Sequence, residues 1–266
     1  MKFLFFTDSH IKSTPPENRK DNYRQTIFNK LNEIVSISKK EKVDYILHGG
    51  DWYDRPSNDK LLSGEVAGII KNFDKPVYTI YGNHDVFGIS PLTVEGTMLG
   101  DLINERIVQL ITNDEKIFLK EGGLAVQLTG KSYRYGMDST QNRDYYYIIQ
   151  KDKKADYAIN MVHGMLIYKP FPPGIPFTLI KEIMQTDADI TLSGHYHTGY
   201  GIINMNNRYF VNPGSIVRVT NYRSELYRIP KIIILDIKKS INIKQIELKS
   251  VLPGQDVLDE QKLLFD

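Results

Sequence analysis

The sequence predicts an α/β fold in which two mixed β-sheets pack face to face as a sandwich, with helices on the outside. Three observations lead there. Short apolar runs alternate with amphipathic stretches through residue 106, the pattern of βαβ units. From about residue 107 strand patterns dominate, and two hairpin signals make the C-terminal third largely antiparallel. The chain has 266 residues, 41% of them hydrophobic, enough for one large core.

The elements follow in order. Phe3 to Phe6 is a continuous apolar run, as expected for a buried strand. Between Asn22 and Lys40, Tyr23, Ile27, Leu31, Ile34 and Val35 recur at helical spacing. Val43 to Leu47 is a second strand. Leu61, Leu62, Val66, Ile69, Ile70 and Phe73 mark a second helix, and Val77 to Tyr81 a third strand. A helix is expected over 92–106, after Ser90-Pro91. Strands are expected over 116–119 and 124–129, flanking Glu121-Gly122-Gly123, and again over 157–162 and 190–192, with a short helix over 177–184. One hairpin turns at Asn206-Asn207; the other turns near Lys239-Ser240, between strands over 231–237 and 241–248. No repeat or low-complexity tract divides the chain. The expected organisation is one domain over residues 1–250 and a C-terminal tail over 251–266.

Composition excludes several classes. There is no cysteine, so disulfides and thiolate zinc sites are ruled out, and a reducing cytoplasm fits. The apolar start reaches Asp8 too soon for a secretory h-region, and no stretch is long and apolar enough to cross a membrane. A net charge of +2 selects no partner. Between Met205 and Ser250, nine Lys or Arg stand against three Asp or Glu, which suits either an anionic polymer or a solvated face. A homodimer is compatible with this composition.

Five of the six histidines lie in short polar motifs, each after an apolar run: Asp8-Ser9-His10, Gly82-Asn83-His84-Asp85, His163-Gly164 and Gly194-His195-Tyr196-His197, joined by Gly50-Asp51-Trp52-Tyr53-Asp54. Loops at the carboxyl ends of strands converge on one crevice in α/β sheets, so these motifs can share a site. Carboxylate, imidazole and amide oxygen form a ligand set for divalent metals. Asp8 and His10 are two apart on an extended segment and can chelate one ion; His195 and His197 have the same spacing. Gly49-Gly50 permits the tight turn from which Asp51 can bridge two ions. Asn83 offers a neutral oxygen. His84 and Asp85 are left as an imidazole–carboxylate pair, suited to a general acid for a leaving alkoxide. Two ions bring +4 against −2 from Asp8 and Asp51, a balance that favours an anionic phosphodiester.

These five blocks, in this order, resemble the calcineurin-like metallophosphoesterase superfamily. The resemblance covers roughly Met1 to Arg218, and every signature ligand position is filled. It implies one ion held by Asp8, His10, Asp51 and His197, a second held by Asp51, Asn83, His163 and His195, and His84 as catalytic histidine. Within the superfamily, the block from Leu47 to Pro56, and Leu192 to His197 followed by Asn212-Pro213-Gly214-Ser215, are similar to the SbcD-type DNA repair nucleases. That similarity implies DNA as substrate, manganese as the favoured ion ahead of zinc, iron or magnesium, and an SMC-like ATPase as partner. Those nucleases carry a further DNA-binding cap and an ATPase-contacting segment, whereas only Val251 to Asp266 follows the last hairpin here.

The remaining motifs are weighed individually. Tyr133-Arg134-Tyr135 and Arg143 to Tyr147 interleave aromatic and basic residues, as in a surface for single-stranded nucleic acid, or as in a tyrosine-rich loop packed on a sheet. Ser215 lies in the Pro-Gly-Ser turn and Arg218 beyond it; with Tyr133, Arg134 and Arg143 they form the expected substrate-contacting set. His48 reads as a hydrogen-bonded structural histidine and Asp54 as a supporting carboxylate. Gly130-Lys131-Ser132 is not a P-loop, because Ala125 stands where a glycine is required. Tyr168 to Pro176, with four prolines, reads as a stiff wall beside His163. Residues 257–265 read as a packed terminal helix or an apolar partner-binding tail. The expected activity is a two-metal phosphodiesterase acting on DNA. The alternatives are a phosphatase or small-molecule phosphodiesterase, and a non-catalytic scaffold.

Overall fold

The computed structural model describes residues 1–57, 59–170, 172 and 174–264. In chain order its elements are β1 (Lys2–Phe6), α1 (Tyr23–Glu41), β2 (Tyr45–His48), α2 (Lys60–Lys71), β3 (Val77–Thr79), α3 (Met98–Asn104), β4 (Gln109–Leu110), β5 (Ile117–Glu121), β6 (Leu124–Lys131), α4 (Arg143–Tyr147), β7 (Tyr157–His163), β8 (Leu166–Ile167), β9 (Thr178–Leu179), β10 (Ile190–Gly194), β11 (Gly201–Met205), β12 (Arg208–Asn212), β13 (Lys231–Ile237), β14 (Ile241–Glu247) and α5 (Gly254–Val257).

They form the two mixed sheets that the sequence predicts. One runs β14-β13-β1-β2-β3-β4, the other β11-β12-β10-β7-β6-β5, and β8 pairs with β9 in a small third sheet. Strands β1 to β4 are parallel, and β13 joins β1 antiparallel. In the second sheet β6, β7, β10 and β12 are parallel, while β5 and β11 close its edges antiparallel.

Strand periodicity explains the layers. Phe3 and Phe5 point into the sandwich, where they meet Leu47, Val126, Ile159, Leu192 and Ile233. Leu4 and Phe6 point the other way, onto Ile27, Leu31, Val66 and Trp52 under the helices. Both faces of β1 are therefore buried, which is why its sequence is a continuous apolar run. The Asn206-Asn207 turn has positive φ at both residues (52° and 62°), as a two-residue hairpin requires.

Three elements differ from expectation. The helix expected over 92–106 is broken at Gly96: a 3-10 turn (Pro91–Gly96) precedes α3, whose first turn is capped by Thr97 accepting from the Gly100 N–H. The helix expected over 177–184 is a single 3-10 turn (Ile180–Ile183), because Thr178 and Leu179 are drawn into pairing with β8. The terminal stretch holds one α-turn, α5, and a 3-10 turn; Val257, Leu258 and Leu263 pack with Leu226. Phe265 lies outside the described residues, as do Phe171 and Pro173 of the proline-rich wall. Among the described residues, no helix is long and apolar enough to cross a membrane.

Candidate metal centre

Parallel strands β1, β2, β7 and β10 deliver their carboxyl ends to one edge of the sandwich. Asp8 and His10 follow β1, Asp51 follows β2, His163 ends β7, and His195 and His197 follow β10. Asp8, His10, Asp51 and His195 all have positive φ (53°, 40°, 55° and 73°). Left-handed backbone is uncommon for such residues, and it clusters here because the chain must turn its side chains sharply inward. Two glycines make the approach possible. A Cβ on Gly82 would lie 1.9 Å from Asp51 Oδ1, and one on Gly50 (φ 96°) would lie 2.5 Å from His163 Nδ1.

The side chains gather into two groups that share Asp51. Ligand atoms of Asp8, His10, Asp51 and His197 lie within 4.8 Å of one another, and so do those of Asp51, His163 and His195. In the first group His10 Nε2 and His197 Nε2 are 2.9 Å apart, and Asp8 Oδ1 is 3.5 Å from His197 Nε2. In the second, Asp51 Oδ2 is 3.2 Å from His163 Nε2. Asp51 Oδ2, His163 Nε2 and Asn83 Oδ1 are buried without any hydrogen-bond partner. Buried polar atoms are seldom left so. Asp51 Oδ2 and His163 Nε2, together in one ligand group, fit a divalent cation, and Asn83 Oδ1 is an oxygen of the kind such an ion takes.

Hydrogen bonds orient these groups. His163 Nδ1 donates to the Gly49 carbonyl at 2.7 Å, so Nε2 faces Asp51. Asp8 Oδ2 accepts from the Thr7 hydroxyl at 2.7 Å and from the His195 N–H at 3.2 Å. Burial disfavours its charge, yet His197 and His163 hold the Asp8 carboxyl well below the ordinary range. Burial pushes His195 down to about 3 and lowers His10 as well, which favours the neutral ring that a metal would need. For His163 burial acts in the same sense, but Asp51 outweighs it and pushes the ring up to about 9.

His84 stands beside this centre. Its ring meets that of His10 edge-on, with centroids 4.8 Å apart, and its Nδ1 donates to the Asp54 carbonyl at 2.8 Å. Asp85 is not its partner. That carboxylate turns inward and accepts from the N–H groups of Asp51 (2.8 Å), Gly82 (2.9 Å) and Tyr53 (3.2 Å), pinning the Asp51 turn. Burial, and then the charge of Asp51, push it up to about 7. Adjacent residues in this turn point opposite ways, so the expected pairing fails and a backbone carbonyl replaces it. Asp54 supports the centre as expected: its carboxylate meets Lys12 at 2.9 Å and lies 3.6 Å from His10 Nδ1. His48 is structural, as read: it stacks on Trp52 and bonds Ser9.

The substrate-contacting set divides. Tyr133 is half-buried, with its ring 5.3 Å from that of His195, so it lies against the site. Arg134 is half-buried next to it and makes no ion pair among the described residues. Arg143 pairs with Glu182 at 3.2 Å. Arg218 is withdrawn altogether: it is buried and donates to the carbonyls of Arg228 and Leu252. Ser215 is buried too, its hydroxyl bonded to the Asp8 carbonyl at 2.7 Å. Those two positions hold the loop together instead of facing substrate. Their long-range partners leave no mark in the local sequence.

Comparison with known proteins agrees with this geometry. The pattern of the family described as calcineurin-like phosphoesterase matches residues 1–199. The uncharacterized metallophosphoesterase YhaO of Bacillus subtilis (strain 168) is 27% identical over 202 residues, covering 73% of this chain and 45% of YhaO. The double-strand break repair protein MRE11 of Encephalitozoon cuniculi (strain GB-M1) is 22% identical over 290 residues, covering 95% of this chain and 48% of MRE11. The chain thus spans about half the length of these relatives. Among solved structures, a dimetal phosphatase from Danio rerio superposes with a TM-score of 0.55 at 11% identity, over 94% of this chain and 99% of that one. The Haemophilus influenzae NAD nucleotidase superposes with a TM-score of 0.56 at 13% identity, over 93% of this chain and 49% of that one. These two likenesses establish the shared fold.

Proposed function

The chain belongs to the calcineurin-like phosphoesterase family of metal-dependent hydrolases, and from that premise we propose that it is a two-metal phosphodiesterase that cuts DNA. One observation carries the reading: ligand atoms of Asp8, His10, Asp51 and His197, and those of Asp51, His163 and His195, gather within 4.8 Å of one another in two groups that share Asp51. Asp8, His10, Asp51 and His197 would hold one ion, and Asp51, Asn83, His163 and His195 the other. When bound, such ions neutralise phosphoryl oxygens as Lewis acids and activate water. Manganese is the ion this reading favours. The relative MRE11, a double-strand break repair protein, supports DNA as the polymer.

The chain's own residues then have defined tasks. The Asp54 carbonyl fixes His84 through Nδ1, which leaves Nε2 as the atom that hands a proton to the departing alkoxide. Tyr133 offers an aromatic face beside the second ligand group, where a nucleobase can stack, and Arg134 adds a cation for the backbone phosphate.

Metal loading should also move a proton. Near neutral pH the metal-free His163 ring carries one on Nε2, because its pKa lies near 9. A ligand must give it up, so titrating metal into metal-free protein is expected to release about one proton from this ring. The binding heat should therefore vary with the ionisation enthalpy of the buffer. A buffer-independent heat would remove His163 from the ligand set.

The substrate test uses metal-free protein with Mn2+ added back. Single- and double-stranded DNA, RNA, cyclic nucleotides, phosphomonoesters and bis-p-nitrophenyl phosphate form the panel. Mn2+-dependent DNA cleavage with poor monoester turnover is expected. Rapid hydrolysis of a small ester with uncut DNA would refute the nuclease reading and leave the family membership standing.

A further inference from the structure

The loop after β12, from Pro213 to Arg218, lies directly behind the first ligand group. The Ser215 N–H donates to the His197 carbonyl at 2.9 Å, its hydroxyl donates to the Asp8 carbonyl at 2.7 Å, and the Ile216 N–H donates to the Thr7 carbonyl at 3.3 Å. This loop touches the backbone of two metal-ligand candidates at once.

What holds the loop is unusual. The carbonyls of Ser215, Ile216, Val217 and Arg218 accept no backbone hydrogen bond among the described residues. Each accepts from a lysine or arginine side chain instead. Arg228 reaches Ser215 and Val217 at 2.7 and 2.6 Å, Lys30 Nζ reaches Ile216 at 2.8 Å, and Arg19 reaches Arg218 at 3.2 Å. Carboxylates orient two of the donors: Glu225 grips Arg228 at 2.6 and 2.8 Å, and Asp21 grips Arg19 at 2.8 and 2.7 Å. Lys30 has no carboxylate partner and is only 1% exposed. Burial, and then the charges of Arg19, Arg218 and Arg228, hold its ammonium well below the ordinary range. Burying three guanidinium groups and a lysine against two carboxylates is costly, and a loop with only a structural duty could satisfy its carbonyls with water or neutral side chains.

We propose that Lys30 and Arg228 are positioning residues for one half of the metal centre: through the 215–218 loop they fix Asp8 and His197, and with them the Asp8, His10, Asp51 and His197 group. This rests on the two-ion reading above. The other half depends on them less, since His163 is oriented by Gly49 from a different strand.

The test measures Mn2+ binding to metal-free protein, by calorimetry and by electron paramagnetic resonance. In Lys30→Met, affinity for one ion is expected to weaken about 10- to 100-fold, the size seen when support of a ligand is removed. The second ion should remain bound, so a single-Mn2+ spectrum appears where the wild type shows a coupled pair. Arg228→Lys retains a cation for Glu225 but cannot make both loop bonds, and should give a smaller shift in the same ion. Ser215→Ala, which removes the link to Asp8 and the acceptor of the Val217 N–H, should also weaken that ion. Val66→Ala, a core cavity in α2 that removes none of the loop's hydrogen bonds, should lower thermal stability and leave both affinities unchanged. If Lys30→Met does not fold, Arg228→Lys and Ser215→Ala decide the matter alone. Equal weakening of both ions, a matching loss in Val66→Ala, or unchanged affinities in the loop variants would overturn the positioning role. A wild type that binds fewer than two Mn2+ ions would overturn the two-ion reading itself.

Discussion

Asp51→Asn is expected to reduce turnover to background while the metal-free fold survives. Asp51 is the residue common to both ligand groups: its Oδ2 lies 3.2 Å from His163 Nε2 and 3.7 Å from His10 Nε2. Its Oδ1 is already engaged, accepting from the His84 N–H at 2.9 Å. Asparagine has the same shape and tolerates the left-handed backbone at this position (φ 55°), so the turn should persist. It can still accept from His84 through one oxygen. It cannot offer a second anionic oxygen, and both ions would lose their shared negative ligand. The expected result is loss of bound metal measured after dialysis, loss of hydrolysis on every ester tested, and a cooperative melt of the metal-free protein near that of the wild type. The His163 ring should also lose its upward shift, because Asp51 is what sustains it against burial. Near-normal hydrolysis in excess Mn2+ would sink the shared-carboxylate arrangement.

Much of this centre is legible in the sequence because its candidate ligands occupy loops directly after apolar strands. The run Phe3-Leu4-Phe5-Phe6 marks a strand buried on both faces, and Asp8 follows it by simple chain geometry. The Asn206-Asn207 hairpin is equally local, since its residues carry the backbone preference that the turn needs. Contacts spanning long stretches of chain are not visible this way. Arg218 looks like a solvated phosphate-binding cation until the fold supplies the Arg228 and Leu252 carbonyls. Ser215 reads as a substrate-facing turn until Asp8, 207 positions away, is seen to accept its hydroxyl. Asp85 illustrates a third case. Adjacency to His84 suggested a pair, but side-chain direction in a tight turn is set by backbone angles and not by sequence proximity. The left-handed backbone at Asp8, His10, Asp51 and His195 leaves no compositional trace, since none of these positions is glycine.

His84→Ala tests chemistry separately from metal binding. The ring sits outside both ligand groups that share Asp51, and gathers only with His10 and Asp54, so its removal is expected to leave both of the proposed ions bound. Its Nδ1 is tied to the Asp54 carbonyl, which leaves Nε2 as the atom able to protonate a leaving oxygen. A general acid contributes on the order of 10²- to 10⁴-fold, so under the proposed nuclease reading DNA cleavage should fall within that range. The loss should depend on the leaving group. A deoxyribose alkoxide departs poorly without a proton, whereas p-nitrophenolate is stable as the anion. Cleavage of bis-p-nitrophenyl phosphate by the variant should therefore stay much closer to wild type than cleavage of DNA. His84→Gln serves as the control for shape, because it can accept and donate hydrogen bonds but cannot carry a proton to the leaving group. If His84 merely orients substrate, glutamine should restore part of the rate and both esters should suffer alike. If it is the acid, glutamine should behave as alanine does, and the gap between the two esters should persist in both variants.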